Sequence, residues 1–274
     1  VTAAAAPFVQ VELTTVCNYA CVYCAGRAMP QRHMDDAVFA DVLRRLPAGP
    51  PGGTVSLQGE GEPTLHPRFW ALVDAVQAHG WTPYTITNGT RVEPARFAAA
   101  FPRLGVSVDT LDEALSARIG RPHLAKVLAN LDALCAALGP ARLIVHSVDL
   151  GQPLGPLRAW LAARGIAHEV QPLQRKPDYR RHYPAAAAEP ALAAVLPGLA
   201  AADPAALIGW ARPPRPRRCD YLERPRMRFF TIDGVELPCC FIKDVPPDFS
   251  AEATRAALAA GRLPATCAGC RMLD

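Results

Sequence analysis

Three cysteines open the chemistry of this chain. Cys17-Asn18-Tyr19-Ala20-Cys21-Val22-Tyr23-Cys24 places three thiols on one short loop, directly after a strand-like run from Phe8 to Thr14. Thiolate is the soft ligand that holds iron–sulfur clusters, and tight spacing lets a single loop wrap one cluster. Three ligands for a four-iron cluster leave one iron without a protein ligand. An open coordination position is what separates a catalytic metal site from a closed structural one. The competing reading, a zinc knuckle, lacks a nearby fourth ligand. Further on, Gln58-Gly59-Glu60-Gly61-Glu62-Pro63 follows a second strand-like run, and its glycines let backbone approach a ligand closely. Alone, that segment reads equally as a turn. The other cysteines are Cys135, Cys219, Cys239, Cys240, Cys267 and Cys270. Outside a secreted mini-protein, close spacings such as Cys267-x-x-Cys270 read as metal or catalytic sites rather than disulfides.

These residues need elements to position them, and the hydrophobic pattern supplies an alternation of strand and helix. Expected strands are Phe8–Thr14, Thr54–Gln58, Thr82–Thr87, Gly105–Val108, Arg142–Val148 and Ile166–Pro172. Expected helices are Asp35–Leu46, Pro67–His79, Pro94–Phe101, Leu124–Leu138 and Leu154–Arg164, several closed by a glycine. Repeated β-then-α units with short connections imply a parallel sheet with right-handed crossovers. The fold class is therefore α/β, a partial six-unit TIM-like barrel, whose chemistry belongs at the C-terminal strand ends. The cysteine loop, Gln58–Pro63, Asn88, Ser107–Asp109 and Asp149 all fall there. On the first strand, Val9, Val11 and Leu13 alternate with Gln10 and Glu12, which places Gln10 and Glu12 in the lumen. A carboxylate there needs a partner, either substrate or a structural ion pair.

The expected organisation is a barrel over residues 1–172, a helical linker over 173–218 and a small C-terminal domain over 219–274. The linker carries expected helices Ala191–Leu196 and Pro204–Ala211, then the basic run Arg212-Pro213-Pro214-Arg215-Pro216-Arg217-Arg218, read as solvated surface. In the tail, Met227–Asp233 and Val235–Phe241 flank Asp233-Gly234, a hairpin signal, and a helix follows from Ala251 to Ala260. Cys135 lies on a helical apolar stripe and reads as core. A net charge of +4 is too weak to argue for nucleic acid, and no uninterrupted apolar stretch is long enough for a membrane span. The first residues lack the basic flank and apolar run of a signal peptide, so the protein reads as cytoplasmic.

The cysteine loop, with an aromatic, Tyr23, just before its third cysteine, resembles that of the radical S-adenosylmethionine (radical SAM) superfamily. The resemblance implies that Cys17, Cys21 and Cys24 hold a [4Fe–4S] cluster whose open iron takes the amino and carboxylate groups of S-adenosylmethionine (SAM). Reductive cleavage of SAM then gives a 5′-deoxyadenosyl radical, the electron coming from an external donor of flavodoxin or ferredoxin type. Gly61, Glu62 and Pro63 match the family's Gly-Gly-Glu-Pro motif, which meets the SAM amino group. Glu60 stands where the family often has Gly. Asn88 and Ser107 match positions that meet other parts of SAM. In the tail, fourteen residues separate Cys219 from Gly234 and four separate Gly234 from Cys239. With the Cys267-x-x-Cys270 pair, this is similar to the shortened auxiliary-cluster ("twitch") module of small radical SAM enzymes. Cys219, Cys239, Cys267 and Cys270 would then fully ligate a second [4Fe–4S] cluster. The alternative for the same four thiolates is a structural zinc site.

Cys240 is left over. Neighbouring strand residues face opposite sides, so if Cys239 holds a cluster, Cys240 faces away from it, either as a small buried hydrophobe or as a hydrogen-atom donor in the active site. The chain begins directly on its first strand, without the N-terminal domain that captures leader peptides in peptide-modifying relatives, which favours a small-molecule substrate. The leading expectation is epimerisation of an aminoglycoside or sugar-type natural product, with Cys240 returning hydrogen, as in the radical SAM epimerases of neomycin-type antibiotic biosynthesis. The second is dehydrogenation of a cyclitol alcohol, as in 2-deoxy-scyllo-inosamine dehydrogenases. Peptide modification is third, and a non-catalytic metal-binding module is the competing class. An amine-bearing substrate should meet carboxylates, for which Glu12, Glu60, Asp109, Asp149, Glu169 and Asp233 are candidates, with Gln10 beside them.

Overall fold

The computed structural model describes residues 6–184, 190–200, 215–223 and 227–273. The expected helix Pro204–Ala211 and the start of the basic run, residues 212–214, lie outside them. Seven strands carry the barrel: β1 (Phe8–Val11), β2 (Thr54–Leu57), β3 (Thr82–Tyr84), β4 (Ile86–Thr87), β5 (Leu104–Ser107), β6 (Leu143–Asp149) and β7 (Ala167–Pro172). A tail strand, β8 (Met227–Phe230), pairs in parallel with β1, and β9 (Glu236–Leu237) pairs antiparallel with β8. The hydrogen-bonded orders are β3-β2-β1-β8-β9 and β4-β5-β6-β7.

The run expected as one strand, Thr82–Thr87, is divided at Thr85, and the division joins the two sheets. Thr85 donates its hydroxyl to the Leu57 carbonyl at 2.7 Å, while its own carbonyl accepts from Gly105 N at 2.9 Å. One chain segment thus serves β2 on one side and β5 on the other, which leads the first sheet into the second. The tail strand on the β1 edge carries the first sheet across the boundary expected at residue 218.

Alternation along the strands separates core from lumen. Val9, Val11, Val55, Leu57, Leu104, Val106, Leu143 and Val145 are buried under the helices. Their neighbours Gln10, Tyr84, Ser107, Ile144 and His146 face inward and keep partial exposure. Outside lie α1 (Asp36–Arg44), α2 (Phe69–Ala78), α3 (Pro94–Ala100), α4 (Glu113–Ile119), α5 (Leu124–Leu138) and α6 (Gly155–Ala162). On α5, Leu124, Val127, Leu131, Leu134 and Leu138 recur at helical spacing and are buried, with Cys135 half-buried against the same core. Helix α4 was not legible as an element. Its Asp112 carboxylate accepts from Leu115 N at 2.9 Å, and it stops at Gly120.

In the tail, Gly234 takes the left-handed turn position at φ +70, as the Asp-Gly pair predicts. The second hairpin strand is shorter than expected. It ends at Leu237, before Pro238, which has no N–H to donate to a ladder. Cys239 and Cys240 therefore sit in a turn, and the strand-parity argument for their orientation does not apply. A helix spans Ala251–Ala259, with the Ser250 hydroxyl accepting from Ala253 N at 3.1 Å as its N-cap.

Candidate active site

The cysteine loop leaves β1 and rests on the end of α4. Ala20 N donates to the Gly120 carbonyl at 3.0 Å and Val22 N to the Ile119 carbonyl at 2.9 Å. Gly120 has φ +93, and a Cβ there would run into the Ala20 carbonyl, so only glycine lets the two segments approach this closely. Cys17, Cys21 and Cys24 lie near enough to feel one another's charge. Burial foremost pushes Cys21 up to about 11 and raises Cys17 and Cys24 as well, with Asp109, Glu62 and Glu60 respectively adding to the rise. Such thiols keep their protons until a metal displaces them. Tyr19 N also donates to Cys17 Sγ at 3.4 Å. Among the described residues, no three Cys, His, Asp or Glu side chains close to the spacing a single metal ion takes. Neither thiol group is therefore a preformed mononuclear site.

Gly59–Pro63 forms the ledge beside this loop. A Cβ on Gly61 would clash with the Thr14 carbonyl and lie 2.7 Å from that of Val16, while Glu62 N donates to Val16 O at 2.8 Å. Glu62 is buried, and its carboxylate is fully engaged by protein. Oε1 accepts from Thr64 N at 3.1 Å, Thr64 Oγ1 at 2.7 Å and Thr87 Oγ1 at 2.7 Å; Oε2 accepts from Asn88 N at 2.6 Å. Burial nevertheless raises its carboxyl, against the pull of these bonds. Glu62 thus pins the end of β2 to the end of β4, and the ledge presents backbone. Asn88 is engaged too, donating to Asn18 Oδ1 at 2.8 Å and accepting from Thr90 N at 3.0 Å.

Tyr23 and Asp109 join a buried network instead of facing the lumen. Tyr23 donates to Asp109 Oδ2 at 2.7 Å, and Arg121 donates to that same oxygen and to the Tyr23 hydroxyl at 3.0 Å each. Arg121 also donates to the Ser107 carbonyl at 2.5 Å, and Asp109 Oδ1 accepts from Val148 N at 2.9 Å. Asp109, expected among the substrate carboxylates, is thus engaged by Tyr23, Arg121 and Val148 within the protein. The Ser107 side chain keeps its lumen position, in register with His146 and Glu169. Other expected substrate carboxylates also lie apart. Asp149 is exposed and caps its own turn through Gly151 N at 2.9 Å. Asp233 pairs with Arg32 at 2.5 Å, half-exposed on the hairpin turn. Glu169 is exposed at the open edge, 3.6 Å from His146.

Gln10, Glu12 and Glu60 do come together, in a cavity that Met29, Gly59, Cys240 and Lys243 also line. Glu12 Oε1 accepts from Glu60 N at 2.9 Å, and burial raises the Glu12 carboxyl. Glu60 Oε1 is ion-paired with Lys243, and Oε2 accepts from Gly26 N at 3.2 Å and lies 3.7 Å from Cys24 Sγ. Lys243 also donates to the Cys240 carbonyl at 2.9 Å, over the face of Tyr179. Cys240 faces this cavity, and burial foremost pushes its thiol up to about 12.

Cys219, Cys239, Cys267 and Cys270 are all buried, the first, third and fourth in one cluster and Cys239 in the cluster against which Cys240 packs. Burial pushes Cys239 and Cys270 up to about 11, against the backbone N–H groups that favour their thiolates. Leu222, Leu258 and Leu273 pack around three of the four.

A model of the radical SAM superfamily matches residues 11–154, more than half the chain. The chain belongs to the radical SAM superfamily. It is similar to the S-adenosylmethionine-dependent nucleotide dehydratase of Selenomonas ruminantium, 26% identical over 52% of this chain and 53% of that protein. The GTP 3′,8-cyclase of Edwardsiella ictaluri is 34% identical over 64% of this chain and 59% of that enzyme. The mycofactocin maturase MftC of Mycobacterium ulcerans is 39% identical over 32% of this chain and 25% of the maturase. The chain thus spans from a quarter to about three fifths of these relatives' lengths. Among solved structures, Streptococcus suis SuiB bound to S-adenosylmethionine superposes with a TM-score of 0.61 at 14% identity, covering 88% of this chain and 61% of SuiB. BtrN in complex with AdoMet and 2-DOIA gives 0.51 at 15%, covering 94% and 88%. At these identities the likeness is one of fold.

Radical SAM membership implies SAM and a [4Fe–4S] cluster, and the residues present fit both. Three thiols share one loop, and Gly61 leaves bare backbone beside them. Sequence reasoning missed Arg121 and Lys243, because each gains its meaning from a partner far along the chain. It also missed Tyr84 and His146, which meet in the lumen at 3.1 Å over Gly105, where a Cβ would lie 2.8 Å from the Tyr84 hydroxyl. The inward alternation of Ile144, His146 and Val148 on β6 was the available signal.

Proposed function

We propose that this radical SAM enzyme epimerises a C–H centre of an aminoglycoside or sugar-type molecule, with Cys240 as the hydrogen donor. The observation carrying this reading is that Cys240 lines the same cavity as Gln10, Glu12 and Glu60, next in sequence to Cys239 of the buried cysteine group. Cys17, Cys21 and Cys24 hold the SAM-binding cluster beside that cavity, and Gly61 and Pro63 offer SAM their backbone. Cys219, Cys239, Cys267 and Cys270 hold an auxiliary [4Fe–4S] cluster. When bound, SAM and its cluster supply a 5′-deoxyadenosyl radical that takes a hydrogen atom from substrate carbon. Cys240, kept as a thiol by burial, gives its S–H hydrogen to the opposite face of that carbon. The sulfur radical left behind takes up one electron and one proton to regain its S–H. Its place beside Cys239 sets it next to the auxiliary site. Glu12 and Glu60 supply carboxylates for substrate amino groups. An external donor of flavodoxin or ferredoxin type feeds the electrons, and the enzyme works in the cytoplasm.

The second reading is oxidation of an alcohol, in which the substrate radical loses an electron and a proton. It draws support from the fold shared with BtrN, solved with 2-DOIA. A peptide substrate is third, since SuiB has been solved with the precursor peptide SuiA. Turnover of an aminoglycoside and cyclitol panel in heavy water separates these. Epimerisation adds one deuterium to an otherwise unchanged mass, whereas oxidation removes two hydrogens. Cys240→Ala should abolish inversion yet still form 5′-deoxyadenosine; inversion by that variant would refute the donor assignment.

A further inference from the structure

Lys176 is a buried cation in an unusual place. It is 5% exposed, directly after the barrel's last strand, and its ammonium donates to the Thr266 carbonyl at 2.7 Å. No ion pair joins it to a carboxylate among the described residues. Burying an ammonium without a countercharge is costly, so a buried lysine without a carboxylate marks a place where other negative charge sits. Thr266 immediately precedes Cys267, so the ammonium sits at the entry to the Cys267-x-x-Cys270 loop.

The backbone around Lys176 is fitted to those cysteines. Arg175 N donates to the Gly269 carbonyl at 3.2 Å, and Arg271 N donates to Gln174 Oε1 at 3.3 Å. Gly269, inside the Cys267-x-x-Cys270 loop, has φ +74, and a Cβ there would lie 2.5 Å from the Arg175 carbonyl oxygen and 3.0 Å from Lys176 N. The segment leaving β7 is therefore seated directly on the loop that carries two of the four thiols.

We propose that Lys176 is the countercharge of the auxiliary cluster, setting its reduction potential from the barrel side. This rests on the reading that the four tail cysteines hold such a cluster. Four thiolates make the cluster anionic and reduction adds one more negative charge, so a fixed ammonium stabilises the reduced form and raises the potential. Lys176 then acts through the cysteines as a positioning residue, without touching substrate.

The test uses the full chain, purified anaerobically, with Cys17, Cys21 and Cys24 replaced by Ala so that only the auxiliary site can load. Iron is counted, and the potential is read by redox titration followed by electron paramagnetic resonance. The parent should carry about four irons. Lys176→Met should shift the reduced-to-oxidised ratio at fixed potential at least tenfold toward oxidised, about 59 mV for a one-electron couple. Lys176→Arg should stay within threefold of the parent. Loss of iron from Lys176→Met with retention by Lys176→Arg supports the same conclusion. Loss from both, or an unshifted potential in a loaded Lys176→Met protein, overturns it. A parent that binds no iron refutes the auxiliary-cluster reading itself, which is a distinct outcome.

Discussion

Removing Asp109 should be among the most damaging single changes outside the cysteines. The Asp109 and Arg121 side chains are 2% and 8% exposed, 3.0 Å apart. Asp109→Ala leaves the guanidinium buried without its anion, and strips an acceptor from the Tyr23 hydroxyl and from Val148 N. Breaking a buried ion pair by removing one partner costs about 3–5 kcal/mol. For a domain of this size that lowers the apparent thermal midpoint by about 6–20 °C. The exposed pair Arg32–Asp233, with both side chains 52% exposed, supplies the control. Asp233→Ala should cost about 0–1 kcal/mol. The decisive construction is the double variant Asp109→Leu with Arg121→Met. It removes both charges together, and such replacements are often neutral relative to the intact pair. It should recover at least half of the single-variant loss, followed by circular dichroism on anaerobic protein. An Asp109→Ala shift no larger than that of Asp233→Ala would refute the reasoning, as would a double variant no better than the single.

Gly120→Ala drives a methyl group into the Ala20 carbonyl at a left-handed position, so it should dislodge the cysteine loop and lose about four irons while the tail cysteines stay loaded. Glu62→Gln sets an amide N–H₂ against groups that already donate, costing about 2–3 kcal/mol in urea unfolding and raising the SAM concentration needed for 5′-deoxyadenosine formation; unchanged values on both counts would deny Glu62 its pinning role. His146 is held below its ordinary 6.5 by burial, with Glu169 opposing and His168 and Arg103 adding to the depression, and Tyr84 hydrogen-bonded to it. The unfolded chain therefore takes up its proton first as pH falls. That contribution to stability is full above pH 6.5 and is lost as pH falls through the folded value. His146→Gln should flatten the decline of the urea midpoint from about pH 7 to pH 5, and parallel curves would exclude it as a contributor.

The barrel was largely legible because its signals are local. Alternation on Val9–Glu12 gave both the strand and its inward face, and glycines stopped the helices where expected. The cysteine loop was legible for the same reason, since Cys17, Cys21 and Cys24 all lie on one short loop. Legibility failed where meaning depends on contact between distant segments. Nothing in the sequence sets Arg121 beside Asp109, or Thr64, Thr87 and Asn88 around the Glu62 carboxylate. The parity argument for Cys239 and Cys240 does not hold, because Pro238 ends the strand before either.

The departure at Glu60 shows how the two ends of the chain form one site. A carboxylate in this position, against Cys24, adds negative charge beside a thiolate loop and would be unfavourable alone. Two other residues make it tolerable. Gly26 has no side chain, and a Cβ there would lie 2.6 Å from the Glu60 carbonyl and 2.8 Å from its Cβ. Lys243, from the tail, brings the opposite charge, and Glu60 and Glu12 in turn favour its ammonium form. Lys243 also holds the Cys240 carbonyl, so the ion pair that neutralises Glu60 fixes the thiol proposed as hydrogen donor. Substitution of Lys243 by Met would leave Glu60 buried and unpaired beside Cys24, and would release Cys240 at the same time. The tail therefore completes the wall of this cavity through charge pairing as well as through the pairing of β8 with β1.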